Sequence, residues 1–504
     1  QAAGYLCAVM LLSGSASIAK QPSQQHPAGV LVLRTLLANQ TDTPTLEACQ
    51  EAIQTKLFAG TGSGSFVPRH RTVAEYLAAN YVAQRLQEGL PLTRVLALMQ
   101  GEDGGVVPAL RGLHAWLAVA AGAQVRENLI DRDPLGLVLH GDVRGFTATE
   151  KMRLLQALKQ EATRYTHFRS QNWASKPFGA LATRDMQTHF QAMLRSPDRS
   201  PAHLATLDCG LEAMRHGHAM PELAPELEQV VRDKTHWPRM RRTALDTLCS
   251  YEPAASHVTT LRQLLEDIDT GKVEDQDMDL RGALLSHLYP KYMPAAELWR
   301  WYQPRKPGYF GTYAIFWLDL VSRIASHADS PLLLNALLNS PHRLTSSRED
   351  DQLQKIIGEL LSIAIAEFGE QIETQHLYAW LGLGLHEYNG NELQPEHQGE
   401  IAAWLSAHPR HYKALVEYGI EQMADSGISV PLQFQQLRER LCDATPPEDA
   451  PAWLMSLAEQ HSNNFRCELI AKSYRLTEER EGFDKAADLL AHWVSTHPED
   501  TDWI

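Results

Sequence analysis

The chain is short of cysteine, of positive charge and of long apolar runs, and each shortage removes a class of protein. Its six cysteines, Cys7, Cys49, Cys209, Cys249, Cys442 and Cys467, stand far apart in 504 residues. That spacing offers neither a disulfide framework nor a thiolate metal site, and it fits a reducing, cytoplasmic setting. Lys and Arg number 46 against 61 Asp and Glu, a net charge of −15, so wrapping a nucleic acid is not its main task. No stretch approaches the roughly 18–20 apolar residues of a membrane span. Nucleotide-hydrolysing and acyl-transfer motifs are missing as well. There is no G-x-x-x-x-G-K-[ST], no G-x-S-x-G, and no cysteine in a reactive motif. This chain alone is therefore not expected to hydrolyse ATP, and no catalytic residue is assigned.

Tyr5–Leu12 followed by Ser13-Gly-Ser-Ala-Ser-Ile-Ala19 imitates a secretory signal and its small-residue cleavage site. No basic segment precedes it and the chain opens on Gln1, so an internal helix is the expectation.

What is present is Leu- and Ala-rich helix. Apolar residues make up 44% of the chain, and 504 residues exceed one compact core, which implies several units or a continuous solenoid. Helical spacing predicts helices over 72–88, 92–99, 107–120, 134–139 and 148–162. Pro134 stands at a helix start, and Thr147 with Glu150 forms a capping box. From about 175 onward, helical stretches alternate with Pro, Ser, Asp and Gly breaks. Arg242–Leu248 and Asp279–Leu288 share a spacing, and Ala403-Trp-Leu-Ser-Ala-His-Pro409 parallels Ala491-His-Trp-Val-Ser-Thr-His-Pro498. Such texture suits stacked helix pairs of the HEAT or TPR kind, each burying a stripe on its neighbour. The expected division is 1–71, a small region ending in a β-hairpin; 72–170, a helical linker; and helical repeats over 171–370 and 371–504.

The hairpin rests on Lys56-Leu-Phe-Ala59 and Ser65-Phe-Val67 around Gly60-Thr-Gly-Ser-Gly64, glycines that reach positive φ without penalty. The chain then runs Phe66-Val-Pro-Arg-His-Arg-Thr-Val-Ala-Glu-Tyr76 into a helix. A hairpin followed by H-x-x-x-x-E-[YF] resembles the end of the winged-helix domain in NACHT-type STAND NTPases. Val107–Leu117, Asp133–Asp142, Asp279–Pro290 and Phe310–Tyr313 resemble the bacterial members of that group, over roughly residues 1–330. The resemblance implies an all-α fold, a winged-helix region followed by a solenoid. It also implies a regulatory and ligand-sensing role in prokaryotic antiviral defence, coupling target recognition to nucleotide-dependent oligomerisation. In that family the histidine at the His70 position touches the β-phosphate of ADP. No cofactor is then expected in this chain, with ATP or ADP and Mg in a full-length parent. The expected partners are a protein ligand, such as a phage-derived one, on the repeats, the missing N-terminal nucleotide-binding domain, and further copies of the chain. Glu75 and Tyr76 are expected to be structural, a helix-surface carboxylate and a packing ring. The alternative is a stand-alone helical-repeat scaffold with no nucleotide role.

Other chemistry is weaker. His216-Gly-His218, with His203 and Asp208, has the look of a metal pair without a third ligand at convincing spacing, and no metal residue is assigned. The acidic run Asp267–Asp279 lacks the spacing of a calcium loop. The basic run Arg232–Arg242 is either a solvated helix face or a local anionic contact. In Leu298–Phe310, aromatics alternate with cations. Trp299, Trp301, Tyr302, Arg305 and Tyr309 are partner-binding candidates, with packing between helix pairs as the other reading.

Overall fold

The computed structural model describes residues 1–22, 29–38, 43–61, 64–170, 172–251, 254–304, 308, 310–324, 326–340, 351–386, 390–423, 429–461 and 463–497. Of the described residues, 71% are helical. Among the described residues no helix is long and apolar enough to cross a membrane. Two compact units form. Unit one is Gln1–Thr259 with Thr270–Glu274, and unit two is Thr260–Asp269 with Asp275–Ile504. None of the divisions at 71, 170 or 370 coincides with that boundary.

Unit one begins with helix α1 (Ala2–Ser13), strands β1 (Ser17–Ala19) and β2 (Val30–Val32), and helices α2 (Leu33–Leu37) and α3 (Leu46–Gln54). Strands β3 (Phe58–Gly60) and β4 (Ser65–Pro68) and helix α4 (Arg71–Gln87) follow. The β3–β4 hairpin is antiparallel, Ala59 opposite Val67. Its neighbour is a strand, where the Tyr5–Ala19 run was expected to be an internal helix. β1 pairs antiparallel with β4, Ile18 opposite Phe66, and parallel with β2, giving the order β2-β1-β4-β3. Ile18 and Ala19 are fully buried, so the run that imitates a cleavage site is an inner strand. Three-residue strands take their conformation from their partners, which propensity cannot supply. α1 is apolar on every side and packs on α4, with the Tyr5 and Tyr81 rings edge to face at 5.6 Å.

The helical series continues with α5 (Leu92–Ala97), α6 (Arg111–Ala120), α7 (Ala123–Ile130), α8 (Pro134–His140) and α9 (Ala148–Arg164). The capping box closes both ways. Glu150 N donates to Thr147 Oγ1 at 3.3 Å, and Thr147 N donates to Glu150 Oε2 at 2.8 Å. The basic run of Arg232–Arg242 is spent inside the unit. Arg232 pairs with Glu228, Arg239 with Glu212, and Arg242 with Asp246, while Arg241 Nε donates to Val231 O.

In unit two the expected repetition of a helix end has a physical form. Trp404 and His408 stack at 4.2 Å, and Trp493 and His497 at 3.9 Å. In each case His Nδ1 approaches the Trp carbonyl, at 2.7 and 3.3 Å. A tryptophan and a histidine four residues apart thus finish each helix with a ring stack and a side-chain approach to the Trp carbonyl, which at Trp493 also accepts from His497 N at 2.8 Å. The acidic run does structural work here too. Asp275 accepts from Leu280 N and Arg281 N, Asp269 pairs with Arg281, and Asp279 accepts from Thr312 N.

Candidate functional site

Where β4 ends, Arg69 and His70 carry the chain into α4 within unit one. His70 is the N-cap residue, at φ −131° and ψ 125°, and its side chain makes no capping bond. Its carbonyl is used instead, accepting from Ala74 N at 3.1 Å. The imidazole is exposed. It stands at the helix end where free N–H groups leave partial positive charge.

The residues below His70 hold the junction from within. Arg71 Nε donates to Glu75 Oε1 at 2.9 Å, and its guanidinium also reaches the Ala109 carbonyl. Glu75 is buried, not on the helix surface as the sequence implied. Its carboxylate turns toward α6 and lies over Gly112. Tyr76 remains half exposed, its ring edge to face with Trp116 at 5.3 Å. One turn of α4 is therefore fixed to α6 by a salt bridge, a carboxylate over a glycine, and an aromatic pair.

Beneath it lies a second polar layer. Arg111 grips Asp133 through two bonds of 2.7 Å, and Asp133 also caps α8 by accepting from Gly136 N at 2.9 Å. His114, on the same helix as Arg111, is completely buried. Neither of its ring nitrogens has a hydrogen-bond partner among the described residues. Burial pushes its pKa down to about 4, so the ring is neutral at pH 7. Burial likewise raises the carboxyl of Glu161 above its ordinary range.

The other sequence candidates fall elsewhere. Trp299, Trp301 and Tyr302 are in the core of unit two, each no more than 3% exposed. Trp299 stacks on Trp317 at 5.4 Å and donates Nε1 to Leu333 O at 2.8 Å, and Tyr302 meets Trp317 edge-on at 4.9 Å. These three rings are used for packing, which corrects their reading as partner contacts. The cation between them, Arg300, points outward to Glu266. Arg305 and Tyr309 lie outside the described residues. His216, His203 and Asp208 do not converge. His216 faces Glu212 at 3.7 Å, His203 faces Asp198 at 3.8 Å, and Asp208 faces Arg169 at 3.4 Å. Among the described residues no group of three His, Cys, Asp or Glu is placed to hold a metal ion.

Sequence reasoning passed over Arg144, Lys151 and Arg184, which come together at a cleft in unit one. They lie on separate segments with no common motif. Only His216-Gly-His218, which lines the same cleft, gave a local signal, the look of a metal pair without a third ligand. Comparison with protein-family models, with curated proteins and with solved structures gave no match.

Proposed function

We propose that the chain is the regulatory and ligand-sensing part of a NACHT-like STAND NTPase of the prokaryotic antiviral type. In this reading, His70 senses the phosphate of ADP or ATP, held with Mg by a nucleotide-binding module outside these 504 residues. The observation that carries the reading is the exposed, uncommitted imidazole of His70 at the passage from hairpin to helix. An imidazole N–H is a strong donor to phosphate, and the adjoining N-terminus of α4 favours the same charge. The order helix, two strands, two helices, hairpin is the support for a winged-helix assignment of the first 71 residues.

The later helices act as a HEAT- or TPR-like array that binds a protein ligand, and the ligand-bound form assembles with further copies in the cytoplasm. Loss of the His70–phosphate contact biases a two-state hinge. Inverting a 1:99 population takes about 5.5 kcal/mol of differential affinity, within reach of one protein interface. In the full-length protein, His70→Ala is expected to speed ADP dissociation about tenfold, the loss of one charge-assisted bond, and to raise basal ATPase activity. An unchanged ADP off-rate refutes the phosphate contact. A full-length protein that binds no nucleotide leaves the scaffold reading in its place.

A further inference from the structure

Unit one contains a cleft of about 370 Å³, lined by Arg144, Thr183, Arg184, His216, Gly217 and His218 among others. Two guanidinium groups and two imidazoles face it, and no carboxylate is among its lining residues. That is unusual in a chain of net charge −15. Arg111, Arg126, Arg153 and Arg169 of the same unit each hold a carboxylate. Among the described residues, the side chains of Arg144 and Arg184 hold none.

A buried cation stands behind the wall. Lys151 is 2% exposed, and its Nζ donates at 2.7 Å to the hydroxyl of Thr183, a lining residue. Burial pushes its pKa down. Asp185 and Glu150 act on it through space, and Arg144 opposes them. Glu150 is already committed to Arg126 and the α9 cap. Asp185 is exposed and draws on the same Thr183 hydroxyl. The one direct bond of this ammonium is to a neutral hydroxyl, so it adds positive charge behind the cleft wall, offset in part by Asp185 through Thr183.

The floor is fixed. A Cβ on Gly217 would fall 2.5 Å from both Ala182 Cβ and Gly179 O, and His218 N donates to Ala182 O at 2.8 Å. Glycine thus lets the 216–218 turn press on residues 179–182, and the two flanking imidazoles line the cleft. The H-x-H pattern serves this close approach instead of a metal.

We propose that the cleft binds a small phosphorylated molecule, with its phosphate clamped between Arg144 and Arg184. Guanidinium forks match phosphate oxygens two at a time. Several cations gathered without a carboxylate suit a dianion better than a single carboxylate. The volume lies in the range of small-molecule sites, well short of a macromolecular surface. The inference is independent of the role given to His70, which does not line the cleft.

The test is calorimetric titration of the 504-residue chain with pyrophosphate and, separately, inorganic phosphate. Saturable one-site binding of either is expected, weakened about tenfold or more by Arg184→Gln and by Arg144→Gln. Both side chains are exposed, so the fold, checked by circular dichroism, is expected to survive. Arg94→Gln, an exposed cation that does not line the cleft, controls for bulk charge, and His70→Ala is expected to bind as the unmodified chain does. Three results overturn the proposal: no saturable binding of either anion, unweakened binding by both cleft variants, or an equal loss with Arg94→Gln.

Discussion

The carboxylate of Glu75 lies so close to Gly112 that a Cβ added to residue 112 would overlap its carboxyl carbon and both oxygens. This contact joins α4 to α6 directly beneath His70, and the geometry of the junction depends on a missing methyl group.

The usual helix rule is therefore expected to reverse at this position. Replacing glycine by alanine inside a helix ordinarily stabilises by about 0.5–1 kcal/mol. Gly112→Ala is expected to destabilise unit one by about 1–3 kcal/mol, because the buried Glu75 must leave its ion pair with Arg71. Gly399, in the Pro395–Ala407 helix, has nothing within 4 Å of its Cβ position. Gly399→Ala is expected to show the ordinary gain. Urea unfolding, following the transition of the unit that holds each residue, checks the opposite signs; equal signs contradict the packing.

Asp133 combines two duties, and a pair of variants separates them. Asp133→Ala removes the Arg111 grip and the α8 cap together, with an expected cost of about 3–5 kcal/mol. Asp133→Asn keeps an oxygen for Gly136 N while discarding the charge. It is expected to recover about 1 kcal/mol of that loss, read from the same unfolding curves. No recovery means that the cap contributes nothing.

His114 makes unit one sensitive to acid. The groups that act on it are Asp133, which favours its charged form, and Arg111 and Arg132, which oppose it. Burial dominates and sets the folded pKa at about 4, below the ordinary value of 6.5. The unfolded chain therefore binds the proton first. The contribution is complete above about pH 6.5 and is lost as pH falls toward 4, on the order of 3 kcal/mol in all. His114→Leu is expected to gain stability relative to the unmodified protein across that window. A difference between the two that stays flat from pH 7 to 4 refutes the buried neutral ring.

The tryptophan pair of unit two carries stability. Trp299→Ala is expected to lower the stability of that unit by about 3–5 kcal/mol. Trp299→Phe keeps most of the packing and loses only the bond to the Leu333 carbonyl, which retains its partner within the Asp329–Leu338 helix, at an expected cost of about 0.5–1.5 kcal/mol. Denaturant midpoints decide the matter. A Trp299→Ala protein as stable as its parent would return this ring to the list of surface contacts.

The junction at His70 was legible because its signals are local. Glycines mark the hairpin, an extended pair precedes the histidine, and helical spacing begins at once. The helix starts at Thr147 and Pro134 were legible for the same reason, and so was the Trp–His helix end, written twice in the chain. The aromatic run at 299–302 was ambiguous, since alternating rings and cations read the same whether the rings face a partner or the core. On its short helical turn Trp299 and Trp301 go inward and Arg300 goes out, a choice set by Trp317 and Leu333 more than thirty residues away in the case of Leu333.

By itself the sequence determined the helical character, the hairpin, the helix starts and the want of a phosphate-binding loop. These depend on backbone preferences and on spacings of four residues or fewer. Only the tertiary structure decided that Ser17–Ala19 is an inner strand, that Glu75 is buried over a glycine, and that Arg144, Lys151, Thr183 and His216 meet. Each of those outcomes is set by the energy of burial and charge pairing between distant segments, which no local pattern records.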